Sequence, residues 1–543
     1  MPNDSEALQR QLQADTRAES GGASPAASFY VPGLTVLYHP DAERTGERVA
    51  LAGLASGRGE SLTRGEPMFS QPGSALLRPL ADPYLSRRPL RLLPGAEPGG
   101  VRLCRGESGT AVIVDGEPVA GDLEIPPARL ERGAVLLLAG RVVLLLSRLD
   151  PVGMAGGPDF GLVGESATMI ALRREIQRVA GLDVPVLLRG ETGTGKELIA
   201  RALHDAGHRR ERPYLAVNMA AVPPTLAAAE LFGASRGAYT GADRRRDGHF
   251  QRADGGTLFL DEVGETPPEI QGLLLRALET REIQPVGSDD VRRVDVRLLA
   301  ATDADLEGAV AAGRFRAPLL HRLAGYEIRV PPLRERRDDF GRLFLHFVRQ
   351  ELTRVGEAGR LAVPFGGRPW IPSSLVARLA AFDWPGNVRQ LRNSVRQIIV
   401  SGRDAGEAGM WLQAERLLRE ASRPSWPDRE PSTPHLATPT GSTPSGARRS
   451  YRSVEEVTED ELLAALRAHR WRIQRAAAAL GISRGSLYDK IEKSPKIRKA
   501  VDLSWEEIEA CHARCGGDLD AMVEALEVSK RGLQRRMTQL GLS

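Results

Sequence analysis

Apolar positions along this chain fall into three regimes. From about residue 29 to 150, short apolar runs at 34–38, 90–93, 111–114, 134–138 and 142–146 are split by Gly, Pro and Asp. Runs of that length between turn formers predict strands, and together they predict an all-β sandwich. From about 160 to 400, apolar strands at 184–188, 257–260 and 294–300 alternate with helical stretches. That alternation predicts an α/β domain on a parallel sheet. Beyond it, helical patterning fills segments 451–494 and 500–543. Residues 1–28 are polar and rich in Ala, Ser and Gly, which predicts disorder. Residues 421–450 are rich in Pro, Ser and Thr and predict an extended linker.

The helical tail contains an internal repeat. ISRGSLYDKI at 482–491 aligns with VSKRGLQRRM at 528–537, an offset of 46 residues. The same offset sets Glu461 on Glu507, Ile473 on Leu519, Leu480 on Leu526 and Leu487 on Leu533. A shared apolar frame at each anchor reads as duplication.

Composition narrows the picture. A chain of 543 residues exceeds one core and should hold roughly three or four domains. With 74 Lys+Arg against 70 Asp+Glu, any DNA-binding surface must be local, because the net charge is only +4. Cys104, Cys511 and Cys515 are too few and scattered for a disulfide framework, which suits a reducing compartment. Cys511 and Cys515 lie four apart with no second pair, so no metal site is expected there. The first residues carry no apolar run or cleavage pattern, and the apolar runs are strand-length. A soluble, cytoplasmic protein without membrane contact is expected.

Chemistry enters with three ordered motifs, GETGTGKE at 190–197, GAYTGA at 237–242 and TLFLDEVGE at 257–265. The first follows a strand and opens a helix pattern at 197–206. Gly190, Gly193 and Gly195 let backbone N–H groups turn toward phosphates, and the helix N-terminus adds positive potential. Glu191, Thr192 and Thr194 complete the loop, and Lys196 would reach the terminal phosphates. The general pattern has Ser or Thr next, for Mg²⁺; here the residue is Glu197. The third motif is a buried strand ending in Asp261 and Glu262. Asp261 would hold Mg²⁺ and Glu262 would polarise the attacking water. An acidic pair can simply cap a strand, but the phosphate loop upstream favours hydrolysis. ATP and Mg²⁺ are the expected cofactors.

Residues from about 162 to 400 resemble the AAA+ domain of bacterial enhancer-binding proteins, the sigma-54-dependent activators. GETGTGKE, AVNMAAVP, ELFG, GAYTGA, ADGGTLFLDEVGE, VDVRLLAATD, GRFRAPLLHRL, VPPLRERRDD and WPGNVRQLRN stand in family order. The resemblance implies an α/β ATPase with an α-helical lid from about residue 335. It makes Asn218 the switch residue that restrains Glu262. Arg316 and Arg322 become arginine fingers for a neighbouring subunit, which implies self-assembly from dimer to hexamer ring. Arg389 becomes the sensor near the phosphates, and Thr302 and Asp303 occupy the sensor-one turn. Asp303 replaces the usual asparagine and Gln390 the usual glutamate. The loop Gly237, Ala238, Tyr239, Thr240, Gly241 and Ala242 would grip sigma-54 RNA polymerase, with Tyr239 where the family usually has Phe. Glycines at both ends allow a sharp turn, and the ring supplies apolar contact.

Residues from about 33 to 148 resemble a forkhead-associated (FHA) domain, within a predicted domain 29–150. Gly57-Arg58, then DPYLSR at 82–87, then a Leu-rich hairpin over 130–146 carry the resemblance. It makes Arg58 and Ser86 the phosphate contacts for a phosphothreonine protein, with a Ser/Thr kinase as input. Pro89 replaces the family's structural histidine, and Ser108-Gly109-Thr110 lacks the usual asparagine. A sandwich that has lost phosphopeptide binding is the alternative.

The tail resembles the Fis-type helix-turn-helix. On its third helix Arg484, Ser486, Tyr488 and Lys490 would face upstream DNA, while Leu487 and Ile491 pack inward. The second copy presents Lys530, Arg531, Arg535 and Arg536, or serves as a packing module. Two other functions compete with sigma-54-dependent activation by ATP-driven remodelling. One is a DNA-bound regulator whose ATPase acts only as a nucleotide switch; the other is an AAA+ remodeller of another target.

Overall fold

The computed structural model describes residues 30–150, 159–238 and 245–421. In the C-terminal part it describes 458–469, 471, 476, 479–480, 487, 503–515, 519–528, 533 and 536–537. The expected disordered start (1–28) and the expected linker from 422 on lie outside these residues. The chain divides into two units, Met1–Pro427 and Asp428–Ser543.

The first unit begins with β1 (Val31–Tyr38), β2 (Arg48–Ala50), β3 (Glu60–Leu62), β4 (Leu90–Pro94) and β5 (Val101–Cys104). β6 (Val112–Val114), β7 (Glu117–Pro118), β8 (Asp122–Ile125), β9 (Ala134–Leu138) and β10 (Val142–Leu149) follow. They form two antiparallel sheets, ordered β2-β1-β10-β9-β6-β7 and β3-β4-β5-β8. Side chains alternate across a strand. Leu34, Val36, Leu136, Leu138, Leu144 and Leu146 therefore fill the core between the sheets. The intervening Val135, Leu137, Val143 and Leu145 are just as buried, but in a different core, shared with Phe340, Phe344, Leu375 and Val376. A register shift between Val36 and Tyr38 adds Leu37 and Tyr38 to that second core. β9 and β10 read as unbroken apolar runs because both their faces are covered.

The α/β part follows. Its strands are β11 (Val186–Arg189), β12 (Tyr214–Asn218), β13 (Thr257–Asp261), a small hairpin β14 (Glu282–Ile283) and β15 (Arg292–Arg293), β16 (Arg297–Thr302) and β17 (Tyr326–Arg329). β12-β13-β16-β11-β17 is one parallel sheet. β16 starts later than the apolar pattern implies because the backbone at 294–295 is engaged elsewhere. Val294 N–H donates to Arg281 O, and Asp295 O accepts from Gly255 N–H, both at 2.9 Å. Consecutive strands β11 and β12 lie on different sides of β13 and β16, so a crevice opens at the carboxyl end of β11, where ligands of such sheets bind.

Three helices, Phe340–Arg354, Ser373–Ala380 and Asn387–Ala421, form the lid. The last runs beyond the expected boundary at 400, with a break at Gly406 (φ 61°, ψ −146°). Polar contacts stitch the sandwich to this lid. Tyr38 OH donates to Ile371 O at 3.0 Å, and Ser373 Oγ donates to Arg141 O at 2.7 Å. Gly341 allows the close approach: a Cβ there would lie 2.2 Å from Leu37 O. Arg48 of β2 donates to Glu165 O at 2.7 Å and to Asp338 Oδ2 at 2.9 Å, so it spans the α/β part and the start of the lid. Asp339 beside it accepts from Ser166 N–H at 2.8 Å.

In the second unit, helices Glu459–Ala468, Trp505–Arg514 and Leu519–Leu526 are described. Leu462, Leu466, Ala476 and Leu487 share one core with Ile508, Cys511, Met522 and Leu533. The two expected copies thus bury their apolar faces against each other. Among the described residues no helix is long and apolar enough to cross a membrane.

Candidate active site

The loop after β11 is a turn that glycine makes possible. Gly193 and Gly195 have φ of 78° and 104°, values that other residues rarely adopt. A Cβ on Gly193 would also lie 2.5 Å from Gly386 O of the lid. Gly190 N–H donates to Thr302 O at 3.2 Å, and Thr194 Oγ1 donates to Glu191 O at 2.8 Å. Lys196 opens the helix Lys196–Asp205, and its Nζ donates to Gly190 O at 2.6 Å and Glu191 O at 3.3 Å. Burial lowers the Lys196 ammonium pKa, while Asp303, Asp261 and Glu262 raise it and Arg389 lowers it. Those charges are therefore its electrostatic neighbours. Glu197 is exposed on the first turn.

β13 delivers the acidic pair. Asp261 Oδ1 accepts from Glu262 N–H at 3.0 Å, and Glu262 adopts a left-handed φ of 53°. A non-glycine residue held there costs backbone energy and is aimed by its surroundings. Asn218 pairs in register with Asp261 across β12 and β13. Its Oδ1 accepts from Ala220 N–H at 2.9 Å, so the amide caps its own turn here rather than holding Glu262. On the next strand Thr302 Oγ1 accepts from Ala304 N–H at 3.0 Å. The Asp303 carboxylate accepts the hydroxyl of Thr192. Asp261, Glu262 and Asp303 are thus the anions whose field reaches Lys196.

The lid closes over this loop. Arg389 N–H donates to Gly193 O at 3.2 Å, and the Arg389 side chain is exposed. Arg334 clasps the Glu191 carboxylate at 2.5 and 2.7 Å and, as the leading cause, holds its pKa below the ordinary value. Buried Arg336 donates to Thr194 O at 3.2 Å. Sequence reasoning passed over Arg334, Arg336 and Asn387 because their partners are backbone and loop atoms far away in sequence. The clue available was a small amide after Pro-Gly in WPGNVRQ, next to the sensor arginine.

Arg316 caps the helix Ala317–Leu323, and Arg322 lies in its last turn. Arg316 N–H donates to Gln271 Oε1 at 2.9 Å, and exposed Arg322 donates to Leu278 O at 3.2 Å. Both thus bond to the helix Pro268–Thr280, not to the phosphate loop. The base of the 237–242 loop is pinned: Ala234 and Arg246 exchange two backbone hydrogen bonds at 2.9 Å, and Ser235 N–H donates to Val286 O at 2.9 Å. Gly237 has φ 81°, with Ala238 next to it; Tyr239, Thr240, Gly241 and Ala242 lie outside the described residues.

In the sandwich, Arg58 and Ser86 do not come together through β3 and β4. Glu60 pairs with Leu92 and Leu62 with Leu90, so Arg58 precedes one end of the pair and Ser86 the other. Exposed Arg58 donates to Ser56 Oγ at 3.2 Å. The backbone of Arg64 meets that of Ser86: Arg64 N–H donates to Ser86 O at 3.1 Å. Ser86 Oγ accepts from Arg88 N–H, and Ser86 N–H donates to Thr110 Oγ1, both at 2.9 Å. The intervening segment 63–85 folds back on itself, which spacing alone did not show.

In the second unit, Arg484, Ser486, Tyr488, Lys490, Lys530, Arg531 and Arg535 lie outside the described residues. Arg536 is half-buried and donates to Leu503 O at 3.1 and 3.2 Å, so its guanidinium is committed to the fold.

A five-stranded parallel sheet whose phosphate loop is gripped by a helical lid defines an AAA+ ATPase, and residues 334–425 match the AAA+ ATPase lid domain family. Residues 162–329 match the Sigma-54 interaction domain family, and 453–493 match the Bacterial regulatory protein, Fis family. The chain is 41% identical over 334 residues to the transcriptional regulatory protein ZraR of Escherichia coli (strain K12), covering 62% of this chain and 69% of that protein. It is 46% identical over 258 residues to the regulatory protein LuxO of Vibrio cholerae, covering 47% of each. Among solved structures, NtrX from Brucella abortus in complex with ATP is 31% identical, covers 61% of this chain and 68% of that one, and has a TM-score of 0.40. The chain therefore belongs to the sigma-54-dependent transcriptional activators, with an ATPase domain and a DNA-binding helix-turn-helix.

Proposed function

We propose that this protein binds upstream DNA in the cytoplasm, assembles into a ring, and uses ATP hydrolysis to remodel the closed complex of sigma-54 RNA polymerase. The observation carrying this reading is the convergence of Lys196, Asp261 and Glu262 at the end of the parallel sheet, with a pinned, glycine-flanked loop on the same domain. Asp261 is the residue to hold Mg²⁺, which when bound neutralises phosphate charge. Glu262 orients and deprotonates the attacking water, and Asn218 restrains it by leaving its own turn. Arg316 and Arg322, anchored away from their own phosphate loop, act on the adjacent subunit's nucleotide. Residues 237–242 transmit the work to sigma-54.

The sandwich serves as an FHA-like input for a phosphothreonine partner of a Ser/Thr kinase. Its anion contacts gather at Ser86 with Arg64 and Arg88, since Arg58 lies apart. In the tail the duplication is supported by matching capping boxes: Thr458 with Glu461 and Ser504 with Glu507, the same 46-residue offset. The second copy braces the first through the shared core, and Lys530, Arg531 and Arg535 add phosphate contacts.

Open-complex formation on a sigma-54 promoter by the purified full chain with ATP tests this reading. Thr240→Ala should keep phosphate release and lose promoter melting. Equal melting by both proteins would remove the loop from the mechanism.

A further inference from the structure

Among the contacts between the phosphate loop and the lid, one side-chain amide reaches two adjacent loop residues at once. Asn387 is fully buried at the start of the last lid helix and holds a left-handed φ of 51°. Its Oδ1 accepts from Leu333 N–H, at the first turn of the lid, at 2.8 Å. Its Nδ2 donates to Thr192 O and to Glu191 Oε2, both at 3.1 Å. One side chain therefore ties the entry to the lid and the start of its last helix to two adjacent residues of the loop. The geometry needs an acceptor and two donors at once at a buried side chain, and among side chains of this size only an amide supplies them. A buried donor or acceptor left unmade is costly, so the amide fixes where the loop lies relative to the lid.

We propose that Asn387 is a positioning residue for ATP hydrolysis: it sets the Glu191–Thr192 backbone so that the loop's N–H groups point at the phosphates, and it relays lid position to that loop. The residue acts through the loop and touches no reacting atom. Because Thr192 also donates to Asp303, the same amide indirectly fixes the carboxylate beside Lys196. The sandwich is packed on this lid, so a displacement of the sandwich reaches the nucleotide through this joint.

Steady-state ATPase kinetics of the full chain test the proposal with Asn387→Asp, Asn387→Ser, Glu191→Gln and the double variant Asn387→Asp/Glu191→Gln. Asp has the shape of Asn but turns the donor edge into an anion facing Glu191 and Thr192 O. KM for ATP should rise about tenfold or more while kcat falls by less than about threefold. Adding Glu191→Gln should recover about threefold or more of that KM, because the introduced glutamine amide can donate where the introduced aspartate accepts. Asn387→Ser, which is neutral and too short to reach Thr192 O, should raise KM similarly and keeps the test open if the aspartate variant fails to fold. An unchanged KM in Asn387→Ser would overturn the proposal. So would a raised KM in Asn387→Asp that Glu191→Gln does not improve, or a loss of kcat that follows the unfolded fraction at constant KM.

Discussion

Arg48→Met should move a pH-dependent loss of stability from near pH 6 in the wild type up to neutral pH. Asp338 is 16% exposed, and its nearest cation is Arg48 at 2.9 Å. Burial raises its pKa from 3.8 to about 6, with Arg48 opposing that rise. Because the folded value lies above the unfolded one, the protonated carboxyl supports the fold below about pH 4, and that support is lost as pH rises through about 6. At about 1.4 kcal/mol per unit the shift corresponds to ~3 kcal/mol. Methionine preserves most of the stem's volume but removes the opposing charge, so the folded pKa climbs further and the window of loss moves to neutral pH. Removing one partner of a buried pair costs ~3–5 kcal/mol when the other stays charged. Near pH 5.5 the variant's Asp338 is protonated in the fold and the deficit should shrink to about 1 kcal/mol, a lost hydrogen bond. Melting temperatures of wild type and variant from pH 5.5 to 8 measure this. The gap should widen by several degrees toward pH 8, and an added Asp338→Asn should abolish the widening. Parallel curves, or a gap that narrows as pH rises, would refute the argument.

Three further outcomes are expected. Glu262→Gln should bind ATP normally but release phosphate about 10²–10⁴-fold more slowly; undiminished turnover would exclude it as the base. Asp303→Asn should lower KM for ATP several-fold by removing an anion beside Lys196, measured by phosphate release across ATP concentrations. Gly341→Ala places a Cβ 2.2 Å from Leu37 O, a backbone atom that cannot turn aside. It should cost about 1–3 kcal/mol and speed proteolysis in the sandwich; a wild-type melting temperature would contradict the close packing.

The parts legible in the sequence are those whose cause is local. A glycine-spaced loop between an apolar strand and a helix announces its own geometry, and so does an acidic pair ending a buried strand. The apolar runs of β9 and β10 announced strands but not which side chains face which core, because both faces are covered and the second cover, the lid, lies about two hundred residues on. The FHA resemblance paired Arg58 with Ser86; the folded excursion at 63–85, which spacing does not show, brings the backbone of Arg64 to Ser86. Asn387 escaped notice because its role is defined by three partners from two distant segments. The helix beyond 400 was missed because Gly402, Gly406 and Gly409 suggest a breaker, while Met410, Ala414 and Leu418 still bury a helical stripe.

The outer face of β1, β9 and β10 has a consequence for how such regulators diversify. A sandwich whose apolar side chains interleave with the ATPase's own lid helices is not a detachable cassette. Cutting the chain near residue 155 would strip Phe340, Phe344 and Leu375 of their cover and leave a sticky surface. Grafting a different domain onto this motor would require rewriting that seam on both sides, so the two halves are bound to evolve as one object.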